Sequence, residues 1–146
     1  MARREKIIRI ASDIAAMAVG ALFIYAGEVK AVAPAQFAAD IANYRLLPHA
    51  AAVALALYLP WLEMICGLAL VFKKAFRGAL CILASLCLVF LAALVSAKAR
   101  GLDISCGCFG HAHPQPLGHE LLLDLALLAA LLLILAFELR ARPSNA

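Results

Sequence analysis

Residues 78–97 read GALCILASLCLVFLAALVSA, a run of uncharged residues closed by Arg77 on one side and Lys98 on the other. At 1.5 Å of helical rise per residue such a run is ~30 Å long, the thickness of the hydrocarbon core of a bilayer. Working outward, three further blocks have the same character: residues 7–29, 50–72 and 121–139. The 146-residue chain is 66% hydrophobic and 15% charged, where a soluble domain carries about a quarter charged residues. In lipid every backbone N–H and C=O must be paired within the protein, so the spans are helices or a closed barrel. A barrel needs strands of alternating polarity, and none are present. The expectation is an all-α fold: one domain over residues 1–146, a polytopic membrane four-helix bundle whose first partner is the lipid bilayer. The net charge of +4 does not indicate a nucleic-acid partner, because the basic residues gather at the ends of the apolar blocks, where membrane topology places them.

The connections differ. KKAFRG, residues 73–78, is a tight basic turn. Residues 30–49, KAVAPAQFAADIANYRLLPH, are longer and amphipathic. Phe37, Ile41, Tyr44 and Leu47 recur there at helical spacing, with Pro34 near the start and Pro48 near the end, which predicts a short surface helix between spans one and two. Arg3, Arg4, Lys6, Arg9, Lys73, Lys74, Arg77, Arg140 and Arg142 fall on one side of the membrane, and Lys30, Arg45, Lys98 and Arg100 on the other. The positive-inside rule then places both termini in the cytoplasm and residues 98–120 outside, in the bacterial case in the periplasm. The first block is too long for the apolar core of a cleaved signal peptide, normally about 7–15 residues, and is read as a span.

The outward loop concentrates the polar chemistry. It contains SCGCFGHAHPQPLGHE, residues 105–120. Cys106 and Cys108 are the only cysteines on that side, in a compartment where thiols oxidise. Gly107 between them tolerates the backbone bend that brings the sulfurs together. So small a ring is strained, and a strained disulfide exchanges readily. His111, His113, His119 and the positive end of the following helix are the candidate surroundings that favour a thiolate, and Phe109 is a supporting residue beside the pair. A fixed staple across one residue gains little chain entropy. C-x-C-x2-H-x-H also offers sulfur and nitrogen ligands for zinc or copper(I), so a metal-binding loop remains open beside the redox reading.

Ionisable residues within spans are costly and therefore functional candidates. Glu63 lies about twelve residues into the second span, ~18 Å deep by helical rise, with Tyr58, Pro60 and Trp61 nearby. Lys30 closes the first span and is expected to snorkel toward the surface, or else to lower the pKa of a loop cysteine. Asp124 is expected to support the start of the last helix. Cys66, Cys81 and Cys87 are read as packing residues, with a Cys66–Cys87 pair at similar depth as the alternative. Ala16, Gly20 and Gly67 suit close helix packing.

Three stretches, FIYAGEVKAVAPAQFAADIANYRLLP (23–48), LPWLEMICGLAL (59–70) and RGLDISCGCFG (100–110), resemble the methylamine-utilisation MauE proteins within a broader MauE/DoxX membrane group. The resemblance spans nearly the whole chain, and C-G-C-F-G after an R-G dipeptide is its most specific part. It implies four transmembrane helices in a bacterial inner membrane and a role in thiol–disulfide traffic, as in maturation of a disulfide-rich periplasmic dehydrogenase subunit. The combined expectation is a thiol–disulfide oxidoreductase in which Cys106 and Cys108 exchange electrons with a periplasmic thioredoxin-like partner. By analogy of architecture with four-helix vitamin K epoxide reductases, a membrane quinone is the candidate acceptor, with Tyr25, Tyr58 and Trp61 as candidate pocket residues. The alternative from a different class is a non-catalytic assembly factor that holds partners at the membrane.

Overall fold

The computed structural model describes residues 2–102 and 117–141, all in helices or the short connections between them. Five helices follow in order: α1 (Ala2–Val32), α2 (Pro34–Asn43), α3 (His49–Val71), α4 (Phe76–Ala99) and α5 (Leu117–Ala141). Four of them contain apolar stretches long enough to cross a membrane, Lys6–Val32, His49–Val71, Phe76–Ala99 and Leu121–Arg140. These coincide with the expected spans to within a few residues. The protein is a multi-pass helical membrane bundle.

Antiparallel packing follows from the contacts. Gly20 of α1 lies against Gly67 of α3, and Gly27 against Pro60 and Met64, so rising numbers on one helix meet falling numbers on the other. Arg77, near the start of α4, donates a 3.4 Å hydrogen bond to the carbonyl of Glu138, near the end of α5. One end of the bundle thus holds the N-terminus, the α3–α4 turn and the end of α5. The opposite end, here called the loop end, holds the α1–α2–α3 connection, the end of α4 and the start of α5.

The α1–α3 contact is where the bundle is tightest. A Cβ on Gly67 would sit 2.7 Å from the Gly20 carbonyl oxygen, and one on Gly20 would sit 2.8 Å from the Gly67 carbonyl oxygen. With lipid on the outside, burying apolar surface does not drive helices together, and close backbone approach over small residues supplies the dispersion contact instead. Around this crossing Ala16, Val19, Phe23, Cys66, Leu70, Leu80, Leu83, Leu128 and Leu131 form the main core. The α3–α4 turn reverses the chain within residues 72–75, with Lys73 (φ 54°) and Ala75 (φ 49°) both in the left-handed region.

The amphipathic segment forms α2, with Pro34 in its first turn, where the missing N–H costs nothing. Phe37 and Ala38 are buried against Ala56 of α3, with Ile41 packed beside them. Tyr44 follows the helix and packs with Leu94 and Ala97 of α4. Leu47 is exposed beyond the helix end, so the expected apolar stripe is one position shorter than its spacing indicates. Arg100, just past α4, donates to the backbone carbonyl of Tyr44 and ties the loop end together.

Candidate functional site: a polar cavity inside the bundle

Lys30 and Glu63 form a buried ion pair. The Lys30 ammonium donates to both carboxylate oxygens of Glu63, at 2.8 Å each, and the residues are 5% and 1% exposed. Their backbones are not level with one another. The Gly20–Gly67 register puts Glu63 level with about residue 24 of α1, six residues from Lys30, or ~9 Å of helical rise. Helical side chains lean toward their own N-terminus. In an antiparallel pair this tilts Lys30 toward the bundle centre and Glu63 toward the loop end, and the two long side chains close the gap. The expectation that Lys30 snorkels to the surface is corrected here: with a carboxylate within reach inside the bundle, the ammonium turns inward.

Two aromatic rings complete the ammonium's surroundings. Phe37 of α2 and Phe90 of α4 have their centroids 5.3 and 5.2 Å from Lys30 Nζ, within range for a cation–π attraction. Beside them lies a cavity of about 40 Å³, lined by Leu22, Phe23, Ala26 and Leu127 together with Lys30, Glu63, Cys87, Phe90 and Asp124. A single water needs roughly 10–15 Å³ of such space, so the cavity has room for more than one. The Asp124 carboxyl and the Cys87 thiol line the same cavity. Its Oδ2 atom is buried with no hydrogen-bond partner among the described residues. Each of the five helices therefore contributes a side chain to one polar cluster: Lys30, Phe37, Glu63, Cys87 with Phe90, and Asp124.

The expected site residues are distributed as follows. Glu63 and Lys30 meet each other. Asp124 lies two turns inside α5, which begins at Leu117, so it lines the cavity with Cys87 and does not serve the helix start as expected. Cys66 and Cys87 belong to the same buried core cluster, and of the two Cys87 also lines the cavity. Counting back from the α3–α4 turn, Cys66 is level with Cys81, and Cys87 is six residues or ~9 Å further along α4. The notion of a Cys66–Cys87 pair at one depth is thereby corrected. Tyr25, Tyr58 and Trp61 are 55%, 77% and 61% exposed. They stand on the outer faces of α1 and α3 and line neither this cavity nor the shallow apolar groove between α2 and α3, so the structure does not gather them into an enclosed ring-binding pocket. Among the described residues no three His, Cys, Asp or Glu side chains are placed to hold a metal ion. Cys106, Gly107, Cys108, Phe109, His111 and His113 lie outside the described residues.

The meeting of Cys87 and Asp124 in one cavity is not among the expectations drawn from the sequence. Its signal is an aspartate deep in a helix otherwise made largely of leucine and alanine, since a carboxyl in such a place needs a polar neighbour on an adjoining helix.

Comparison with known proteins adds the family. The family model of the methylamine utilisation protein MauE matches residues 8–137. The chain belongs to the MauE family. Two relatives are each described as "Methylamine utilization protein MauE". The one from Paracoccus denitrificans is 36% identical over 121 residues, covering 82% of this chain and 65% of the relative. The one from Methylophilus methylotrophus is 38% identical over 74 residues, covering 50% of this chain and 39% of the relative. The chain thus spans less than two thirds of the length of either relative. No solved structure matches. The family match reaches from the first span into the last, so Lys30, Glu63, Cys87 and Asp124 all lie within it.

Proposed function

We propose that this MauE-family chain is a membrane thiol–disulfide oxidoreductase linked to methylamine utilisation. An outward-facing Cys106–Cys108 pair exchanges electrons with a periplasmic thioredoxin-like partner, and both termini lie in the cytoplasm. The observation that carries this reading is connectivity. Cys106 and Cys108 fall in sequence between α4, which ends at Ala99, and α5, which starts at Leu117. A separation of one residue, Gly107, limits how far the two sulfurs can move apart, which favours ring closure.

The chemistry balances as an exchange. A thiolate of the reduced partner attacks one loop sulfur and breaks the Cys106–Cys108 bond, giving a mixed disulfide. The partner's second thiolate then releases the loop as a dithiol, and the partner leaves oxidised. Return of the loop to its disulfide gives up two electrons and two protons, which a membrane quinone takes up to become a quinol. The exposed Tyr25, Tyr58 and Trp61 would then present aromatic surface to a quinone moving in lipid and would not enclose it.

The test uses Cys106→Ser and Cys108→Ser variants. One of them should trap a periplasmic partner as a mixed disulfide identifiable by mass spectrometry, and both should abolish thiol-dependent quinone reduction followed by absorbance. Glu63→Gln should leave exchange with a soluble dithiol intact. If neither cysteine change alters quinone reduction and no mixed disulfide forms, the assembly-factor reading replaces this one.

A further inference from the structure

The cavity within the bundle is lined by two carboxyl groups and one ammonium. It is faced by Lys30 from α1, Glu63 from α3, Cys87 from α4 and Asp124 from α5. From α2, Phe37 reaches the Lys30 ammonium, and no titratable α2 residue lines the cavity. Lys30 commits its charge to both oxygens of Glu63. If Asp124 were also a carboxylate, a second negative charge would sit inside the bundle with only a thiol beside it, and burying an unpaired charge is strongly unfavourable. Yet Asp124 Oδ2 is buried and has no partner among the described residues, next to space for water.

We propose that the cavity is an intramembrane proton-binding site, in which one proton is held on Asp124 Oδ2 and donated to cavity water. A metal cation is the poorer occupant. Glu63 already gives both oxygens to Lys30, and hard cations such as Ca²⁺ or Mg²⁺ require about six oxygens. The inference concerns the helices alone and stands independently of the thiol-exchange reading.

Charge balance makes the proposal countable. The number of neutral carboxylic acids in the cluster is set by how many carboxylates the single ammonium can serve. It should be one in the wild type and none in Glu63→Gln, where Asp124 becomes the counter-ion of Lys30. In Lys30→Met it should be two, because neither carboxylate retains a cation.

The experiment is infrared spectroscopy of the full-length protein in lipid nanodiscs at neutral pH, in H2O and D2O. It reads the carbonyl stretch of protonated carboxylic acids. The wild type minus Asp124→Asn difference should show one deuterium-sensitive band. That band should vanish in Glu63→Gln, roughly double in Lys30→Met, persist in Cys87→Ala, and be unchanged by added Na⁺. Asp124→Asn is isosteric, and helicity by circular dichroism verifies the fold of every variant. If Lys30→Met does not fold, the loss in Glu63→Gln carries the count alone. Absence of an Asp124 band in the wild type, its persistence in a folded Glu63→Gln variant, a folded Lys30→Met variant without the added intensity, or its loss on adding Na⁺ would each overturn the proposal.

Discussion

Gly67→Ala adds a single methyl group at the point where α1 and α3 come closest. The new Cβ would lie 2.7 Å from the Gly20 carbonyl oxygen, 2.8 Å from Ile24 Cγ1 and 3.2 Å from the Ile24 backbone nitrogen. Two of these neighbours are backbone atoms, so rotating a side chain cannot make room. Ordinary contact begins near 3.4 Å, and the helices must separate by about 0.7 Å, in a packed interior that transmits such strain. Overpacking of this kind costs about 1–3 kcal/mol. The same substitution at Gly78 has the opposite sign. Gly78 is exposed in the first turn of α4, and a Cβ added there would meet nothing within 4 Å, so alanine should stabilise by about 0.5–1 kcal/mol through backbone entropy. The difference between the two variants is therefore about 1.5–4 kcal/mol, one to three decades in the unfolding equilibrium. Denaturation in mixed micelles, followed by circular dichroism, measures it. Equal stability of Gly67→Ala and Gly78→Ala would show that the Gly20–Gly67 crossing is not the contact that sets the bundle.

Two further outcomes follow from the ion pair and from the direction of the chain. Lys30→Met should destabilise by about 3–5 kcal/mol, because it strands Glu63, whereas Lys30→Met with Glu63→Leu should return to within about 1 kcal/mol of the wild type; the same unfolding assay reads both, and a double variant no better than the single one would refute the pairing energetics. Membrane-impermeant maleimide applied to intact spheroplasts after reduction should label Cys106 and Cys108, and labelling only from the cytoplasmic face would reverse the proposed orientation.

The spans were legible because long uncharged runs have few alternatives in a chain of this composition. The short helix was legible because Pro34 marks its start and Phe37 and Ile41 repeat at helical spacing. What the sequence did not disclose was which face of each long helix meets its neighbours. Lipid-facing and buried faces are both apolar in a membrane, so periodicity carries little of the information it holds in a soluble helix. Leu57 and Ile65 are exposed while Leu70 is fully buried on the same helix, with nothing in residue type to separate them. The pairing of Lys30 with Glu63 depends on the register fixed by Gly20 and Gly67, a relation between distant positions. Lys30, judged alone at the end of a span, has every reason to turn outward. Asp124 misleads for a related reason: α5 begins at Leu117, ahead of the apolar run, so a residue near the start of the hydrophobic block is two turns inside the helix.

The Lys30–Glu63 bond also imposes an order on biogenesis. The two residues are separated by 33 positions, so when α1 first reaches the membrane its lysine, in the last turn of the helix, has no counter-ion and is free to extend to the interface. Only after α3 has been synthesised and packs against α1 does the lysine gain a reason to turn inward, so the polar interior of the bundle is completed after its first helix is already in the membrane.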